Sequence, residues 1–213
     1  MRKFSLIGIA ALAALQLTST AVLAGHDMKA DKEPVPVSTP FDKGRMEFQI
    51  GAGAFSSFGS FSDKRPHLVD VDVALRLGWM LNTPSGDGFF RGNCEFLVEA
   101  FGAAVVEGPG DGFGGLTLLL RYNFVQPDSR CVPYFQIGAG GVYNDVYKET
   151  PQRLMGRAFE FNLQAGFGVR CFVAENCAVF VEADYRHISN ADSADRNLGL
   201  NSVGGYIGVS YFF

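Results

Sequence analysis

An all-β, eight-stranded antiparallel transmembrane β-barrel is the fold class this sequence predicts, and three observations predict it. From about residue 45 to the last residue, apolar side chains recur at every second position, the period of a strand with one apolar face. Beyond the first 24 residues no run of roughly 18 apolar residues occurs, so a bilayer would have to be crossed by strands. The face opposite the apolar one carries Glu, Asp and Arg but almost no Lys. That choice suits a packed, hydrogen-bonded lumen better than a solvated exterior.

The chain begins with Arg2 and Lys3, an apolar run from Phe4 to Leu15 and the small-residue stretch TSTAVLA. This is the three-part layout of a cleaved N-terminal signal peptide over residues 1–24. About 190 residues remain, the size of one domain. Residues 25–44, polar and Pro-containing without periodicity, predict a flexible periplasmic leader. The barrel is expected over 45–213.

Its strands follow in order. The first alternates Met46, Phe48, Ile50, Ala52 and Ala54 with Glu47, Gln49, Gly51 and Gly53. The second is the clearest, with Val69, Val71, Val73, Leu75, Leu77 and Trp79 set against Asp70, Asp72, Ala74 and Arg76. Strands three to five are carried by Phe96–Ala100, Leu116–Phe124 and Phe135–Ala139. The sixth sets Phe159, Phe161, Leu163 and Phe167 against Glu160, Asn162, Gln164 and Arg170. The seventh sets Val179, Val181, Ala183 and Tyr185 against Glu182, Asp184 and Arg186, and the eighth carries Val203, Ile207, Val209, Tyr211 and Phe213.

A lipocalin-like soluble barrel would alternate equally well with its apolar face inward. The mixed charges and glycines of the polar face, and a chain that stops on YIGVSYFF, favour the outward, lipid-facing orientation. With an even strand number, odd strands run outward, and the outer connections are Ser56–Pro66, Glu107–Phe113, Asn144–Gln152 and Asn190–Leu200. A barrel of this size is filled by its own side chains, so no wide pore is expected.

The net charge of −4 gives no footprint for nucleic acid. Four cysteines, Cys94, Cys131, Cys171 and Cys177, lie in the exported part. Without a CxxC pair or a histidine cluster, structural disulfides or free thiols outweigh a metal site. CFVAENC closes a short loop, which favours Cys171 with Cys177 and leaves Cys94 with Cys131. The Gly clusters GAGAF, GDGFGG and GAGG precede no helix and are corners or close contacts of strands.

One cluster points to chemistry. The seventh strand ends in RHISNADSADRNLGLNS, where His187 and Ser189 continue the lipid-facing series of Val181, Ala183 and Tyr185. Two polar groups on that face, near the outer leaflet, are poor choices for a purely structural surface. Their Cα atoms are about 6.5–7 Å apart, within reach of a hydroxyl-to-imidazole hydrogen bond. Asn201 opens the eighth strand with the same parity, and a hairpin brings it alongside.

At these residues the chain resembles the outer-membrane lipid A 3-O-deacylase family, including its acyloxyacyl-hydrolase-like relatives. The resemblance covers the signal, the eight-strand pattern, HISNA with Asn197 and Gly199, and the aromatic end. It implies a location in the bacterial outer membrane and a Ser/His site on the barrel exterior that hydrolyses an ester-linked acyl chain of lipid A in lipopolysaccharide. By position, His187 matches the base and Ser189 the nucleophile, and Asn190 and Asn197, with the neighbouring Gly199, match the oxyanion and substrate-binding positions. No cofactor or metal is called for, and a homodimer is left open. Where the family has Glu, this chain has Asn201, an amide that can orient an imidazole but cannot offset its charge. Weak activity is therefore expected, with Asp192 or Asp195 as substitutes for the missing charge. The alternative is a non-enzymatic structural or adhesive barrel that has lost the triad carboxylate.

Overall fold

The computed structural model describes residues 39–58 and 66–213. The signal peptide expected over 1–24, residues 25–38 of the expected leader and most of the first outer connection lie outside the described residues.

Eight strands form a closed up-and-down barrel: β1 Met46–Ser57, β2 Val69–Met80, β3 Asn93–Glu107, β4 Gly112–Asn123, β5 Cys131–Asn144, β6 Phe159–Ala174, β7 Cys177–Ser189 and β8 Leu200–Phe212. Every neighbour is antiparallel, and β1 pairs with β8 from Glu47↔Phe212 to Ser57↔Ser202 to complete the ring. Closure satisfies the strand edges that lipid cannot hydrate. Val73 is 52% exposed and adjacent Asp72 only 3%, so the apolar face points outward. The same holds for Phe48, Ile50, Leu118, Ile137, Leu163, Val181 and Ile207, which together make the apolar exterior a membrane barrel requires.

Arginines organise the lumen. Arg76 donates to Glu99 at 2.7 Å and to Glu182 at 2.6 Å. Arg170 reaches Glu47 and, at 3.2 Å, Glu95. Arg186 bridges Asp70 and Asp72, each at 2.6 Å, and Arg121 donates to Gln49 and Gln136. Charges taken out of water cost several kcal/mol each unless they are matched in this way. The rings of Tyr134 and Phe55 cover the guanidinium groups of Arg121 and Arg186.

At the outer end, the connection 145–158 between β5 and β6 starts with a 3₁₀ turn, Val146–Lys148. It packs Leu154 and Met155 into one buried cluster with Leu68, Val142, Ile188 and Leu200. Asp145 ties it to the β3–β4 turn by accepting N–H bonds from Gly112 and Asp111. Those bonds, Gly112's first, hold its carboxyl below the usual carboxylate range. This connection is longer than the expected Asn144–Gln152.

Other expectations change as well. β3 and β5 extend well past the alternating runs Phe96–Ala100 and Phe135–Ala139, because Gly102–Ala104 and Gly140–Gly141 lack an apolar pattern yet keep their ladder partners. The leader is not loose throughout. In residues 39–44, Phe41 is buried against Phe172 and Phe212 at the end of the barrel where β1 begins.

The disulfide is Cys131–Cys171, with Cys94 and Cys177 free, which corrects the expected Cys171–Cys177 and Cys94–Cys131 pairing. Register is the reason. Cys131 and Cys171 are direct partners across β5 and β6, with Cα atoms 4.0 Å apart. In the β6–β7 hairpin Cys171 faces Val179, whereas Cys177 faces Ala174. Cys94 faces Tyr122 on β4, one strand short of Cys131.

Candidate active site

β7 sends its odd-numbered side chains outward and its even-numbered ones inward. His187 and Ser189 therefore sit on the exterior, both half-buried, at the outer end of the strand. Ser189 Oγ lies 3.0 Å from His187 Nε2. The hairpin register sets Asn201 directly opposite His187 and places its Oδ1 2.7 Å from His187 Nδ1. An amide oxygen only accepts, so Nδ1 carries the ring proton and Nε2 turns its lone pair to the serine hydroxyl. This is the tautomer a general base needs.

Sequence reasoning missed one feature of this cluster and named another, Gly199, for a different role. Tyr185, one outward position before His187, donates its hydroxyl to the same Asn201 Oδ1 at 2.8 Å. Shared parity with His187 was the available signal. Gly199 has φ +71, and a Cβ there would lie 3.0 Å from His187 Cε1, so a glycine is what lets the β7–β8 connection close over the imidazole. That connection is held from outside: Leu198 and Gly199 donate backbone N–H bonds to the carbonyls of Arg153 and Leu154 at 3.0 and 2.9 Å.

The amides behave differently from one another. Asn190 has inward parity and is buried. Its Nδ2 donates to the Arg196 carbonyl at 2.9 Å and to Glu160 at 3.4 Å, and its backbone N–H donates to Asn197 Oδ1 at 2.9 Å. Its side chain thus braces the loop from within and does not join the cluster on the exterior. Asn197 gives Nδ2 to Asp192 at 2.7 Å, which engages one of its two amide hydrogens. Asp192 spends its carboxylate on that contact, and the acceptor at His187 Nδ1 is Asn201.

Apolar residues surround the cluster. On β6, Leu163 is paired with His187 and Phe161 with Ser189, both well exposed. Toward the middle of the barrel, a shallow external groove is lined by Phe135, Ala165, Phe167, Ala183, Tyr185 and Val203.

Comparison with known proteins fits this architecture. The family model "Lipid A 3-O-deacylase (PagL)" matches residues 70–210, about two-thirds of the chain and the span that holds every residue of the cluster. No protein of curated function matches the sequence. Among solved structures, Neisserial surface protein A is similar at 14% identity, covering 80% of this chain and 98% of that one with a TM-score of 0.51. The N-terminal β-barrel domain of Pseudomonas aeruginosa OprF is similar at 15% identity, 80% and 98% coverage and a TM-score of 0.50. The outer membrane enzyme PagL is 18% identical over 77% of this chain and 97% of its own, with a TM-score of 0.47. At these identities the structural likeness concerns the fold, an eight-stranded outer-membrane barrel. The family match reaches further, and by it the chain belongs to the lipid A 3-O-deacylase (PagL) family of the bacterial outer membrane.

Proposed function

We propose that this chain is an outer-membrane esterase that removes an ester-linked acyl chain from lipid A, with Ser189 as nucleophile and His187 as base. The observation that carries the reading is the continuous relay Ser189 Oγ, His187 Nε2, His187 Nδ1, Asn201 Oδ1 on a lipid-facing surface. His187 takes the Ser189 proton as the hydroxyl attacks the acyl carbonyl. The imidazolium then returns that proton to the departing sugar oxygen, and water releases the acyl chain from Ser189 by the same steps in reverse roles. Asn201 supplies orientation without charge, and Tyr185 fixes the amide by occupying a second lone pair of Oδ1. The remaining hydrogen of Asn197 Nδ2 is the donor best suited to the oxyanion. Asn190 supports it from behind by binding Asn197 Oδ1, and Gly199 leaves room for the imidazole. The groove below Tyr185 suits an acyl chain lying along the barrel wall.

The test is lipid A mass spectrometry from cells expressing the wild type or Ser189→Ala. Loss of one hydroxyacyl chain in the wild type, restored in the variant, is the expected result. An unaltered lipid A profile with folded protein in the outer membrane would favour the structural or adhesive reading. The amide at position 201, where the family has a carboxylate, is the observation behind that second reading.

A further inference from the structure

A second serine–histidine relay lies on the same exterior, two strands from the first. Ser56, at the outer end of β1, has the outward parity of Phe48 and Ile50. Its Oγ lies 2.9 Å from His67 Nε2, and His67 Nδ1 lies 3.3 Å from Glu107 Oε1. Here the third member is a carboxylate. Its placement depends on a β-bulge. The β2–β3 register shifts between Val69 and Asp70, so that Val69 faces Glu107 while Asp70 faces Val105. Simple alternation from Glu95 and Glu99, both buried, would send Glu107 inward. The shifted strand instead leaves its side chain 68% exposed, the re-aiming that bulges produce.

The histidine is held in place as well. Ser57 Oγ accepts the Leu68 backbone N–H at 2.8 Å, clamping the segment just before β2. Gly108, with φ +111, packs so closely that a Cβ there would lie 2.5 Å from the His67 carbonyl oxygen. Thus one glycine, next in sequence to Glu107, keeps the His67 backbone beside the carboxylate. Ser56 is partnered with Val203 on β8, and Val203 with Tyr185 on β7. Two strand spacings of about 4.8 Å put Ser56 roughly 10 Å around the barrel from Tyr185.

We propose that Ser56, His67 and Glu107 form a second hydrolytic site for acyl esters lying at the boundary between the outer leaflet and water. It does not rest on the assignment of Ser189. His67 Nε2 takes the Ser56 proton while Oγ bonds to the acyl carbon. The ester C–O bond breaks, its electron pair leaves on the alcohol oxygen, and that oxygen takes the proton from His67. Water then attacks the acyl-serine with His67 again as base, releasing a free carboxylic acid and restoring Ser56. Glu107 accepts the Nδ1–H and stabilises the imidazolium. The half-exposed His67 gives water direct access for the second step.

The experiment uses the folded barrel in detergent micelles, an octyl fluorophosphonate as serine probe, and peptide mapping of the adduct. In Ser189→Ala the adduct is expected on Ser56. In Ser189→Ala/His67→Gln labelling should slow at least about tenfold, since a positioned base is worth roughly two to four orders of magnitude. Hydrolysis of 4-nitrophenyl octanoate remaining in Ser189→Ala should disappear in Ser56→Ala/Ser189→Ala. No Ser56 adduct in folded Ser189→Ala, or an adduct formed at an unchanged rate without His67, overturns the proposal. Wild-type labelling on Ser189 alone would sink it and leave the first site standing, whereas labelling on Ser56 alone would do the reverse.

Discussion

Replacing Asn201 by Asp is an isosteric change that puts a carboxylate oxygen where the amide oxygen now sits, 2.7 Å from His187 Nδ1. The histidine becomes positive only as the serine proton is transferred, so the new charge stabilises the transition state more than the resting site. A bare Coulomb sum at that distance gives about 6 kcal/mol for an effective dielectric of 20. The site is half-buried and partly wetted, so the net gain is closer to the roughly 1.5–3 kcal/mol of a hydrogen bond to a charged group. That corresponds to a rise in kcat of roughly ten- to a hundredfold. KM should stay nearly constant because Asn201 is buttress to the histidine rather than a contact of the acyl chain. The assay is a time course of lipid A deacylation in mixed micelles, in a Ser56→Ala background so that only the Ser189 site is read. An unchanged or lower kcat in a folded Asn201→Asp barrel would refute the view that the missing charge limits this relay.

Three further outcomes follow from the same geometry. Tyr185→Phe keeps the groove wall but removes the 2.8 Å hydrogen bond to Asn201; a loss of about 0.5–1.5 kcal/mol predicts a two- to roughly tenfold drop in kcat, read in the same time course. Gly199→Ala forces an L-residue to φ +71 at a cost of about 1–2 kcal/mol and pushes a methyl within 3.0 Å of His187 Cε1, so activity should fall while the far-ultraviolet dichroism of the barrel is kept. Arg170→Met removes the nearer of the two arginines that face Glu47 and Glu95 and leaves them only Arg121, at 3.4 and 3.6 Å, which should destabilise the barrel by up to about 3–5 kcal/mol, and an unshifted urea midpoint in detergent would show that the lumen does not depend on this pairing.

Much of this molecule is legible from alternation alone. A strand's parity fixes which side chains meet lipid, and so the sequence places His187 and Ser189 outside before any coordinates exist. Hairpin pairing then brings Asn201 to them, because residues opposed across a tight connection share a face. Parity also contains what was overlooked. Asn190 is even-numbered, like Arg186 and Ile188, and turns inward with them, although the family resemblance matched it to an oxyanion position. Other features are set by register between strands joined through long or irregular connections, which composition does not encode. Cys131 meets Cys171 because β5 and β6 pair from Cys131 to Tyr143, and the connection 145–158, with Pro151 and Gly156 spread along it, is no tight two-residue turn that would fix this register from sequence. Ser56, His67 and Glu107 come from three parts of the chain and meet only because a bulge alters one count.

The carbonyls of Arg153 and Leu154 that fasten Leu198 and Gly199 have a practical corollary for protein engineers. Transplanting the last hairpin alone onto another barrel scaffold would carry the nucleophile and its base but not the brace that keeps the lid of the imidazole in place. A chimera would have to import the adjoining extracellular connection at the same time, so the smallest portable unit is four consecutive strands rather than two.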